Sequence, residues 1–128
     1  MSKLENYKSQ LRSLEKAPQK DLDDDYIISA VKDKFVVQFE LAWKVMREEL
    51  FLAGVREDGL GTPRSVLKRA VIAWPELDEG LWLDMLKKRN MARYMYNEEL
   101  VRELVPAVIG EYIPEFQKLE RLISKAVD

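Results

Sequence analysis

The sequence predicts an all-α fold, an antiparallel up-and-down helical bundle of four main helices plus a short accessory helix, as a single domain over residues 1–128. Three observations point there. Apolar residues recur at steps of three and four over long stretches, as one face of a helix requires. Caps, Gly and Pro fall between those stretches. Strand-like alternation is nowhere convincing, so a bundle that buries its helix faces against one another is the expected architecture.

The first helix is read over Lys3 to Lys16, with Leu4, Tyr7, Leu11 and Leu14 on one face and Pro18 ending it. A long second helix is expected from Asp21 to about Ala53, opened by Asp21, Asp23, Asp24 and Asp25 at the positive end of its dipole and stopped at Gly54. Its apolar residues, Ile28, Val31, Phe35, Phe39, Ala42, Trp43, Met46 and Leu50, are widened by Val36, Val37, Leu41 and Val45. Such an arc is expected where a helix faces its own bundle on one side and another surface on the other. Thr62 caps and Pro63 opens a short third helix over Val66 to Ile72. The fourth starts near Asp78 and runs through Leu81, Trp82, Met85 and Leu86 toward Tyr94. Asn97 caps the fifth, which uses Val101, Leu104, Val108, Tyr112, Phe116, Leu119 and Ile123 and which Pro106 and Pro114 should kink or divide.

Composition narrows the function classes. With 47% hydrophobic and 34% charged residues the chain is too apolar for disorder and too charged for a membrane protein. A net charge of −2 supplies no global basic field for nucleic acid or an anionic membrane, so any RNA contact would be local and weak. No apolar run reaches the roughly 18 residues of a spanning helix, and the first residues lack a signal-peptide core, so a cytoplasmic address is expected. Absence of cysteine excludes disulfides and thiolate chemistry. Absence of histidine removes the side chain best suited to proton transfer at neutral pH and the commonest metal ligand, so no metal and no cofactor are expected. Acidic runs such as Asp23 to Asp25 read as a solvated helix start, and the adjacent Glu48 and Glu49 face different directions.

The chemistry-bearing stretch is Lys87 to Glu99. Continued as a regular helix, it sets Trp82, Met85, Leu86, Arg89, Arg93 and Tyr96 on neighbouring rows of one face, with Asn90 and Tyr94 on the adjoining flank. Two readings of Arg89 stand side by side. It is an interior arginine neutralised by a carboxylate such as Glu40 or Glu48, or, with Arg93, it forms a phosphate-binding patch helped by Asn90 and the two phenols. Trp43, Trp74 and Trp82 read as core or interface anchors rather than base-stacking platforms.

Three segments carry a family likeness: Phe39-Glu40-Leu41-Ala42-Trp43-Lys44, then Thr62 to Ala70, then Trp82 to Asn90 followed by Tyr96-Asn97-Glu98-Glu99. In this order, over about residues 20–125, the chain resembles the HEPN superfamily, in its small nucleotidyltransferase substrate-binding protein branch of the HEPN/MNT toxin-antitoxin type. The family pattern is Arg, four residues, His, one residue, Tyr. Arg89 and Asn90 match, Tyr94 stands in the histidine's place and Tyr96 matches the final tyrosine.

The resemblance implies a homodimeric helical bundle, a cognate minimal nucleotidyltransferase as partner, a groove that recognises nucleotide (ATP or a related molecule) or phosphate through Arg89 and Arg93, and Tyr96 as an AMPylation acceptor. On that expectation the chain is a partner or substrate-binding subunit rather than an enzyme on its own. The alternative is a metal-independent endoribonuclease toxin using Arg89, Asn90 and Tyr94; phenol, with a reference pKa near 10, is a poor base at pH 7. A third reading is a dimeric helical scaffold without a ligand.

Overall fold

The computed structural model describes residues 2–127, with side chains from Ser2 to Ala126. Helix α1 spans Lys3–Leu14 and begins with a reciprocal cap: the Ser2 hydroxyl accepts the Glu5 N–H at 3.1 Å while the Glu5 carboxylate accepts the Ser2 N–H at 3.2 Å. After a 3₁₀ turn at Ala17–Gln19, helix α2 runs over Asp25–Leu52. Its start lies four residues later than the sequence suggests. The Asp21 side chain accepts the Asp23 N–H in a local turn, and Asp24 takes the cap position by accepting the Tyr26 N–H at 2.8 Å, so the earlier acids shape the approach rather than the helix.

A second 3₁₀ turn at Glu57–Leu60 leads to α3, Pro63–Ala73, capped by Thr62 as expected. Helix α4 covers Glu79–Ala92 and α5 covers Glu98–Ala107. A π-helical turn, Val108–Tyr112, joins α5 to α6, Ile113–Val127. The expected division of the last helix therefore takes the form of a register change. Pro114 has no N–H for the Gly110 carbonyl and its ring would crowd that carbonyl, and the wider turn, with the Ile113 N–H on the Val108 carbonyl, relieves the conflict. No strand occurs among the described residues, and the all-helical up-and-down bundle stands.

Helix α2 is the axis of the molecule, packed by α1, α3, α4, α5 and α6. Phe35 stacks on Tyr112 with ring centroids 5.2 Å apart, and Trp82 sits edge-on to Phe116 at 5.6 Å. Both Phe35 and Phe39 are fully buried within the chain. Most of the α2 apolar arc is thus taken up by five neighbouring helices, and Val37 is the part of it left exposed midway along the helix. Polar pins cross the core. The Tyr7 hydroxyl donates to the Phe116 carbonyl at 2.6 Å, Gln38 donates to the Tyr7 carbonyl at 3.0 Å, and buried Glu115 accepts from the Asp78 N–H, the Trp82 indole and Lys118.

A candidate anion groove between α2 and α4

Helices α2 and α4 leave between them a groove of about 490 Å³. On α2 it is lined by Lys32, Val36 and Glu40, a single row at steps of four, together with Asp33 and Val37; on α4 it is lined by Arg89 and Arg93, with the small Ala92 between them. Sequence reasoning named the arginines and Glu40 but missed Lys32, Val36 and Val37 as groove residues. The four-residue spacing of Lys32, Val36 and Glu40 is the signal that marks them.

Arg89 is charge-compensated. Its guanidinium forms an ion pair with Glu40 and donates to Asn90 Oδ1 at 2.9 Å. The second oxygen of Glu40 accepts the Trp43 indole N–H at 3.2 Å, which fixes the carboxylate against the α2 backbone. Of the two carboxylates offered for Arg89 by the sequence, Glu48 is instead held by Lys3 at 3.6 Å.

Arg93 differs. It is the residue after the last turn of α4, exposed, and among the described residues it has no carboxylate partner. Its guanidinium carbon lies 5.8 Å from the Tyr94 ring centroid, and the negative end of the α4 dipole lies beside it. Lys32 is held only loosely, 3.9 Å from Asp33. Three cations against two carboxylates leave the groove with one net positive charge, most available at the Arg93 end.

The tyrosines do not join this face. Helix α4 stops at Ala92 instead of continuing to Tyr94 or Tyr96, because the Tyr94 and Met95 N–H groups bond the carbonyls of Met91 and Ala92 in a tightened turn and buried Met95 is drawn into the core. The face expected to align Arg89, Arg93 and Tyr96 is therefore interrupted. Tyr94 is 66% and Tyr96 87% exposed, and neither lines the groove. Tyr96 stands one residue before Asn97, whose side chain accepts the Glu99 N–H and starts α5. Trp82 is a core residue, while Trp43 and Trp74 pack partly buried against the core.

The arrangement sets three cations and two carboxylates beside an apolar wall, with no imidazole or thiol in the chain. Among the described residues no cluster of acidic residues has metal-ligand spacing, and no helix is long and apolar enough to cross a membrane. The family model described as "Nucleotidyltransferase substrate binding protein like" matches residues 2–125. No curated protein matches the chain.

Proposed function

The chain belongs to the nucleotidyltransferase substrate binding protein-like family, and from that premise we propose that it is the HEPN-type partner subunit of a minimal nucleotidyltransferase, acting as a homodimer and not as an enzyme on its own. The observation that carries the reading is the family match over nearly the whole chain. The groove adds a physical reason: Arg93 offers an unpaired, planar pair of donors to a phosphate.

Exposed Tyr96 is the proposed acceptor of nucleotidyl transfer. In that step the phenol oxygen bonds the α-phosphorus of ATP, the bond to the departing pyrophosphate breaks, and the phenolic proton passes to a base of the partner enzyme. Tyr96 lies at a connection between helices, where a second protein can reach it without unfolding a helix. The endoribonuclease reading, with Arg89, Asn90 and Tyr94, is disfavoured by what surrounds these groups. Arg89 is neutralised and Tyr94 does not line the groove, leaving the groove without a proton acceptor other than carboxylates already placed beside cations.

Co-expression with a cognate minimal nucleotidyltransferase should yield one complex, and incubation with ATP and magnesium should add the mass of one AMP per chain, mapped to Tyr96. Separate elution of the two proteins would overturn the partnership. An adduct that persists in Tyr96→Phe would overturn the acceptor alone.

A further inference from the structure

On the opposite flank of α2 lies a second groove, of about 280 Å³, between the end of α1, the turn that follows it and the first half of α2. Residues lining the two grooves sit on average about 140° apart around α2 at about 100° per residue. Lys16 and Lys20, at the two ends of the 3₁₀ turn, and Lys34 on α2 converge on this groove, and no carboxylate lines it. In a chain of net charge −2 with 23 acidic residues, a concavity of one sign calls for an explanation.

None of these lysines has a carboxylate within ion-pair distance among the described residues. Four of the nearby acids have other partners. Glu15 is held by Arg12 at 3.2 Å and by Gln117 at 2.8 Å, Asp21 and Asp24 cap backbone N–H groups, and Asp33 faces Lys32 in the other groove. Lys34 donates to the Ser13 hydroxyl at 2.9 Å, which leaves the hydroxyl proton free to donate in turn. The floor is apolar, made by Ala17, Ile27 and Val31.

We propose that this groove binds a short polyphosphate chain, as the bare anion or as the phosphate tail of a nucleotide. Ammonium groups on flexible stems are point charges that can follow a chain of tetrahedral phosphates, whereas the planar fork of an arginine suits a single carboxylate or phosphate face. Three ammonium groups and one hydroxyl provide donors for several phosphate oxygens. The site does not depend on Arg89, Arg93 or a nucleotidyltransferase partner.

Isothermal titration of the full chain with inorganic tripolyphosphate, and separately with ATP, tests the assignment. Saturable binding of one anion per chain is expected, weakened about tenfold or more when two of its charges are removed in Lys20→Ala/Lys34→Ala. Lys34→Arg should retain most of the affinity. Arg93→Ala, and the equal charge change made far away by Lys125→Ala together with Lys8→Ala, should leave it unchanged. ATP binding more tightly than tripolyphosphate assigns a nucleotide whose base lies on the Ile27 and Val31 floor; equal affinity assigns the bare chain. No saturable binding, equal loss in the distant double variant, or loss on Arg93→Ala would each overturn the proposal, with circular dichroism confirming that every variant is folded.

Discussion

Glu40 governs how Arg89 behaves. The pair is about three-quarters buried, so each partner would be costly to leave alone, yet solvent still reaches it and screens part of the attraction. Arg89→Ala and Glu40→Gln should each cost about 1–2 kcal/mol, and a double-mutant cycle by urea denaturation should return a coupling of about 0.5–2 kcal/mol. Strict additivity would remove the pair as a structural element. The sequence located Arg89 beside the apolar stripe and named two carboxylates, but Glu40 and Glu48 are two turns apart on α2 and only the long-range register of α2 against α4 chooses between them. A second residue reports on pH. The Tyr112 hydroxyl donates to Asp84, and burial, then that hydrogen bond and the charge of Asp84, push its pKa above the ordinary 10.0; burial raises Tyr7 likewise. Between the unfolded and folded values the unfolded chain has lost the proton while the native one keeps it, so this stabilisation is complete below pH about 10 and declines as pH rises further. The urea midpoint should accordingly fall as pH rises from about 10 to about 11, and fall less in Tyr112→Phe, with Tyr7 supplying the remainder. An identical decline in that variant would refute the assignment to Tyr112.

At the scale of elements, the breaks teach more than the helices. Pro106 and Pro114 both predict a disturbance of the last helix, but α5 carries Pro106 within it, and the π turn just before Pro114 keeps Tyr112 against Phe35 and Phe116 against Trp82 at once. The end of α4 departs from its sequence pattern for a related reason. Arg93, Tyr94 and Tyr96 continue a helical spacing acceptably, and only the burial of Met95 and the cap at Asn97 turn the chain away. Two glycines make this local logic measurable. Gly110 lies within the π turn with nothing within 4 Å of an added Cβ, so Gly110→Ala should stabilise by roughly 0.5–1 kcal/mol through the unfolded state. Gly54, at the end of α2, has φ +98° and equally open space, so Gly54→Ala should destabilise by about 1 kcal/mol or more from backbone strain alone. Thermal melts showing the same sign for both would contradict this account of the two turns.

For the molecule as a whole, the proposed homodimer must rest on residues that the bundle leaves outside. Phe35 and Phe39 cannot serve, since both are consumed by the core, and truncating either to Ala should cost about 3–5 kcal/mol of stability. Exposed apolar side chains lie in two places, Phe51, Leu52 and Ile72 at the ends of α2 and α3, and a second set around the end of α4, beside the cationic groove. Val37, 44% exposed, shares the α2/α4 groove with Arg93, while Met91 and Leu100 share a small cleft between α4 and α5. Tyr94 stands between these two places in the chain. Apolar groups rimmed by Lys32, Lys88 and Arg93 have the composition of a docking surface, apolar at its centre and charged at its edge. A two-fold axis near this point would bring two copies of the same patch together and set the two Arg93 side chains on one shared cleft. A stable dimer needs roughly 1,000 Å² or more of buried surface, which the α2 and α4 flanks must supply together. Sedimentation at micromolar concentration should therefore show a dimer. Val37→Asp should convert it to a monomer with little loss of secondary structure, because the side chain is half exposed and contributes little to the core. A wild-type monomer, or a Val37→Asp protein that remains dimeric, would place the interface elsewhere or remove it.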